Sequence, residues 1–105
     1  MTVGYGFNTV LTAEPGKADQ LVDLLLSGMD DGNPASSEHC LVYLVCRSAS
    51  DPEVVHVTEG WTTETDHHRL FAGAAAQAII AEIEQLVVAV SPYTDYVPVG
   101  GKAAF

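Results

Sequence analysis

Five side chains in this sequence could do acid–base work or hold an aromatic ligand: Glu59, Trp61, His67, His68 and Asn8. Glu59-Gly60-Trp61 closes the apolar run 54–61, and Thr63 with Asp66 three residues on reads as a helix start. Residues two apart on a strand point to the same face, so the carboxylate and the indole sit together where a strand gives way to a helix. An unpaired buried carboxylate is costly. Glu59 is therefore expected to bond to backbone or to a second copy of the chain, with a role as base as the alternative. Trp61 is either a wall on which an aromatic ring stacks or a core side chain at the sheet edge.

His67 falls with Leu70 and Phe71 at i, i+3 and i+4, which turns it inward; His68 points about 100° away, toward Ala72 and Ala75. A neutral inward imidazole can take a phenolic proton near pH 7, or can rest idle against a carbonyl. His56 lies on the strand face opposite Trp61. Asn8 shares a strand face with Gly4 and Gly6, and missing side chains beneath a helix would leave a cavity with the Asn8 amide at its floor. The catalytic candidates are His67, His68 and Asn8; the substrate-binding candidates are Trp61, Tyr43 and Phe71. His39, Cys40, Cys46, His56, His67 and His68 show no metal-binding spacing, so no metal is expected. Gly100-Gly101-Lys102-Ala103 lacks the spacing of a phosphate loop, and no G-x-S-x-G or G-x-G-x-x-G occurs.

The elements that must position these groups follow from periodicity. Residues 3–13 alternate as a strand, with Val3, Tyr5, Phe7, Thr9 and Leu11 on one face and Gly4, Gly6, Asn8 and Val10 on the other. Glu14-Pro15-Gly16 is expected to open a helix whose inward stripe is Ala18, Leu21, Val22, Leu25 and Met29. Residues 39–48 form a second strand, apolar on both faces, and residues 54–61 a third, its hairpin partner. A short helix over 63–72 leads through Gly73 into a longer one reaching about Val90, where Ser91-Pro92 stops it. Residues 93–99 make a last strand. The order β-α-β-β-α-α-β predicts one α+β domain over 1–105, a ferredoxin-like split βαβ with a four-stranded antiparallel sheet and helices on one face. The other face needs a cover, and a second copy of the same sheet is the expected one.

The chain has 105 residues, 48% of them hydrophobic, enough for one core without disulfide staples. A formal charge of -10 repels phosphate backbones and anionic membranes, so neither nucleic acid nor a membrane is an expected partner. Cys40 and Cys46 are read as two buried thiols on one face, too far apart along it to pair. With no signal-peptide pattern and no long apolar run, a cytoplasmic location is expected by default.

Pro15-Gly16-Lys17, Cys40-Leu41, Glu59-Gly60-Trp61, the run 76–80 and the Pro98-Val99-Gly100-Gly101-Lys102 tail occur in an order that resembles the antibiotic biosynthesis monooxygenase superfamily, small dimeric α+β barrels. The resemblance spans nearly the whole chain and implies a homodimer. It also implies a hydrophobic aromatic substrate and, in the branch without flavin, metal or other cofactor, oxidation of phenols or quinols by O2. In that branch the protein deprotonates the substrate and the resulting anion reduces O2 itself. Family members often carry a histidine nine residues after the Trp; here that position is Leu70. The haem-degrading branch shares a first-strand Asn, matched by Asn8, but its Trp and His positions read Leu70 and Ile80. The resemblance thus favours a cofactor-independent monooxygenase, with His67 or His68 as proton acceptor, Asn8 on the substrate oxygen and Trp61 against the ring. A binding barrel without turnover and an O2-independent isomerase or cyclase are the alternatives.

Overall fold

β1 (Tyr5–Ala13) is the spine of the sheet in the computed structural model, which describes residues 2–102. It pairs antiparallel with β3 (Val54–Trp61), in register from Tyr5 opposite Trp61 to Thr12 opposite Val54. β2 (Cys40–Arg47) lies on the far side of β3. The other edge of β1 carries two short strands: β4 (Val87–Val90) against Leu11–Ala13 and β5 (Thr94–Tyr96) against Gly6–Asn8. The expected four-stranded sheet is thus five-stranded, its last lane broken in two at Ser91-Pro92. Ser91 stays bonded to β1 across the break: its N–H donates to the Val10 carbonyl at 2.8 Å and its hydroxyl accepts the Val10 N–H at 2.9 Å.

Three helices cover one face: α1 (Ala18–Leu26), α2 (Glu64–Phe71) and α3 (Ala74–Leu86). α1 starts later than Glu14-Pro15-Gly16 suggests. Gly16 takes a left-handed φ of 78°, so the tripeptide is a turn and the helix begins beyond it. A 3-10 turn over Ser27–Met29 prolongs α1, and another follows at Pro34–Ser36. α3 ends at Leu86, not near Val90. Val87, Val88 and Val90 are β-branched, and here the unpaired edge of β1 wins them for a strand. α2 begins where expected, with Thr63 Oγ1 accepting the Asp66 N–H at 3.0 Å.

The helices pack on the face of β1 that carries the large residues. Tyr5, Phe7, Thr9, Leu11 and Ala13 are buried, as are Val55, Val57, Glu59 and Trp61 across the sheet. Burial of these side chains, at roughly 1.5–3 kcal/mol for each large apolar one, is what fixes the helices there. The face with Gly4, Gly6 and Asn8 is the uncovered one. The two glycines leave no hole: a Cβ on Gly4 would collide with the Thr62 carbonyl, and one on Gly6 would stand 3.0 Å from the Glu59 carbonyl. A bulge between Cys40 and Val42 also corrects the reading of β2. Cys40 turns toward the Tyr5-Phe7-Trp61 cluster, while Cys46, opposite His56, is exposed. The two thiols are neither both buried nor on one face.

Candidate active site

A cavity of about 250 Å³ lies between the covered sheet face and the helices. Phe7, Thr9, Leu11 and Val57 form its floor, and Ile79, Ile80 and Ile83 of α3 its roof. Ala76 of α3 is buried and lines it too, and its small side chain fills little of the space. Leu25, Gly28 and the 3-10 turn at Pro34–Ser36 close one end, and the exposed Glu84 and half-exposed Tyr93 mark the rim. A cavity of roughly 150 Å³ holds a benzene ring, so this one has room for more than one ring. No helix of the described residues is long and apolar enough to cross a membrane.

The polar atoms of the wall are mostly committed. The Tyr43 hydroxyl donates to the Leu25 carbonyl at 2.6 Å, and the Thr9 hydroxyl to the Ser91 carbonyl at 3.3 Å. Glu59 is different. It is 6% exposed and lines the cavity, and its Oε1 accepts the Trp61 indole N–H at 2.9 Å. Burial pushes its carboxyl up to about 7, against the opposing pull of that hydrogen bond. Within the chain its partner is not backbone but the indole two residues on along the same strand face. A carboxyl that is half-ionised near neutral pH in an apolar pocket is a proton acceptor for a weakly acidic ligand.

Of the substrate-binding candidates, Tyr43 and Phe71 line the cavity; Trp61 does not. Trp61 is wholly buried, so its ring cannot receive a ligand, and its part is to hold Glu59. His67 points inward, 3% exposed, but behind the cavity wall. Its ring packs against Phe71 at 4.3 Å, Phe7 at 4.8 Å, Trp61 at 5.2 Å and Tyr5 at 5.6 Å between centroids. Neither ring nitrogen has a hydrogen-bond partner. Each such orphan costs about 1–3 kcal/mol, and burial, with His68 nearby, depresses its basicity to about 4. His68 lies on the exposed side of α2, its Nε2 3.8 Å from Glu64 Oε1, outside the cavity lining. Asn8 is on the far face of the sheet, where its amide donates to Thr58 Oγ1 at 3.0 Å and to the Val57 carbonyl at 3.3 Å. The cavity floor expected at Asn8 is instead at Phe7 and Thr9, because the helices cover the large residues and the small ones admit close backbone.

A polar knot fixes the junction of β3 and α2 that carries these groups. Asp66 Oδ2 accepts the Thr62 and Thr63 hydroxyls at 2.6 and 2.9 Å, and its Oδ1 meets Arg69 at 3.2 Å. His39 Nδ1 stands 3.1 Å from Thr62 Oγ1, tying the start of β2 to the same point. The two hydroxyls, with Arg69 and His39 adding to them, hold the Asp66 carboxyl down at about 2. The residues sequence reasoning passed over are Thr9, Tyr93 and the α3 isoleucines. The helical spacing of Ile79, Ile80 and Ile83 marks an inward face, but an inward face is equally a filled core.

A split βαβ sheet, helices on one face and an apolar cavity with a carboxyl in its wall define a small α+β domain. The family model for antibiotic biosynthesis monooxygenases matches residues 5–82, most of the chain, and the protein belongs to that family. A candidate antibiotic biosynthesis monooxygenase from Chloroflexus aurantiacus J-10-fl superposes with a TM-score of 0.82 at 29% identity, over 94% of this chain and 96% of that one. A second candidate from Deinococcus radiodurans gives 0.78 at 22%, covering 96% and 98%. A Pseudomonas aeruginosa protein gives 0.79 at 18%, covering 95% and 98%. The last two likenesses are of fold alone. No curated protein matches the chain.

Proposed function

We propose that the protein is a cofactor-independent monooxygenase of a neutral phenolic, quinol or polyketide-like aromatic, with Glu59 as proton acceptor. The observation that carries this reading is a buried carboxyl, raised to about 7 and oriented by Trp61, in the wall of an otherwise apolar cavity. Glu59 takes the phenolic proton, and the electron-rich anion is then oxidised by O2. For a phenol oxidised at a ring C–H, one oxygen of O2 becomes the new quinone carbonyl. The other leaves as water with the ring and hydroxyl hydrogens. The apolar walls keep bulk water from the anion, and the protonated Glu59 beside it returns a hydrogen bond.

Oxygen uptake with a panel of anthrones and quinols tests this reading. Glu59→Gln should lower the rate about 100- to 10,000-fold, the usual range for removing a general base, while His68→Ala should leave it unchanged. No uptake by the wild type across the panel overturns it. A second reading, a binding barrel without turnover, is favoured by the committed hydroxyls of Tyr43 and Thr9, which leave little polar machinery in the wall. A ligand that raises Tm and is recovered unchanged would support it; turnover without O2 would point to an isomerase or cyclase.

The working unit in this proposal is a homodimer joined through the uncovered sheet face, where Val10, Val42 and Leu44 need a cover. Val97 and Val99, 85% and 100% exposed in the single chain, need one too. Sedimentation at low micromolar concentration should give the mass of two chains; a stable monomer overturns the dimer.

A further inference from the structure

His67 is a buried polar group that neither the proposed chemistry nor the fold uses. Both its ring nitrogens are enclosed without a partner, and it sits in a cage of Tyr5, Phe7, Trp61, Phe71 and His68. Buried nitrogens of this kind are normally bonded to protein or to water. Two of the cage rings, Phe7 and Phe71, also line the cavity, so one ring's thickness separates the imidazole from the ligand space.

The two rings differ in freedom. Phe7 is 1% exposed on the central strand, between Glu59 and Asp95 as its cross-strand neighbours. Phe71 is the last residue of α2, half-buried, just before the Ala72-Gly73 break that separates α2 from α3. Its backbone is pinned, because Gln77 Nε2 donates to the Phe71 carbonyl at 2.6 Å. A pinned backbone with a ring that is only partly enclosed permits motion of the side chain alone.

We propose that Phe71 is a gate whose rotation away from His67 joins the imidazole to the cavity, giving the site a second hydrogen-bonding group besides Glu59. The inference builds on the reading of the cavity as a ligand site and narrows its ligand class. The site takes an aromatic with two polar atoms, one hydroxyl for Glu59 and a second oxygen for a His67 nitrogen. A single-hydroxyl aromatic binds with the gate shut.

Two measurements on the full chain test it. Diethyl pyrocarbonate modifies accessible imidazoles, and the chain has 4 histidines to compare. In the wild type His67 should react slowest; in Phe71→Ala its rate should rise at least tenfold while His39, His56 and His68 hold theirs. Phe71→Leu should give an intermediate rise, and serves alone if circular dichroism shows the alanine variant unfolded. An unchanged His67 rate in a folded variant overturns the gate. The second measurement is anaerobic NMR of the imidazole nitrogens of the wild type with dihydroxynaphthalene isomers and with 1-naphthol. At least one dihydroxy isomer should shift the His67 nitrogens, and 1-naphthol should not. Binding of all isomers with His67 unmoved overturns the gate and leaves the Glu59 reading intact. Failure of every naphthol to bind overturns the cavity reading, and the modification rates then decide the gate alone.

Discussion

The two ends of the covered sheet face are built on opposite principles. One end is aliphatic: Leu11, Leu21, Leu25, Val55 and Val57 pack into a cluster, all 5% exposed or less, with no side-chain polar atom among them. The other end is aromatic: Tyr5, Phe7 and Trp61, with Phe71, surround His67 and border Glu59. The first end buries apolar surface alone, and three of its residues, Leu11, Leu25 and Val57, also wall the cavity. The second buries a carboxyl and an imidazole, and both resist their charged forms there. A fold this small tolerates such a site because the other end carries none of the cost.

The largest expected effect lies in the aliphatic end. Leu21→Ala, at a position with no exposure, should lower unfolding free energy by about 2–5 kcal/mol in urea titration. Leu21 packs in that cluster but does not itself line the cavity, so the proposed turnover should persist wherever the variant is folded. A comparable loss of turnover in the folded variant would join the two ends that we separate.

The next effect is one of pH. Glu59 ionises near 4.5 in the unfolded chain and near 7 when folded, so the folded state binds more protons between them. That contribution is present in full below about pH 4.5 and is lost as pH rises through 7, about 3 kcal/mol in all. His67 works the other way: lowered from 6.5 to about 4, it costs stability as pH falls through the same interval. The two slopes oppose each other across their overlap, so wild-type stability should be flat between about pH 4.5 and 6.5. Glu59→Gln should be more stable than wild type above pH 7 by up to about 3 kcal/mol, and should expose a rising slope due to His67. An unchanged profile in urea titrations across this range would remove the carboxyl from the cost.

His67→Phe exchanges two orphaned nitrogens for carbon in an aromatic cage and should stabilise by about 1 kcal/mol. Loss of stability instead would mean the nitrogens are met. Asn8→Ala, on the uncovered face, should cost about 0.5–1.5 kcal/mol through its lost bonds to Thr58 and Val57. It should leave oxygen uptake unchanged; a fall in uptake would put the chemistry on both faces of the sheet.

Much of the aromatic end was legible in advance. Strand parity puts Glu59 beside Trp61, the Thr63–Asp66 cap dates the start of α2, and helical phase turns His67 inward. These are local relations, fixed within a few residues. What escaped depended on the other side of the molecule. Alternation in β1 separates two faces without saying which one the helices choose, and the choice falls on the large side chains, which leaves Asn8 on the uncovered face and away from the cavity. Val87–Val90 suits an apolar helix stripe as well as a strand, and the free edge of β1 decides. The bulge at Leu41 has no signature in the run 40–46, and it moves Cys40 across the sheet.

Trp61 is the single tryptophan of the chain. Its indole N–H rests on the Glu59 carboxyl, and the ring is shielded from solvent. The protein therefore carries its own optical indicator. On the proposed reading, the emission of that one residue should follow the ionisation of Glu59 and the arrival of a ligand beside it, with no label and no substitution.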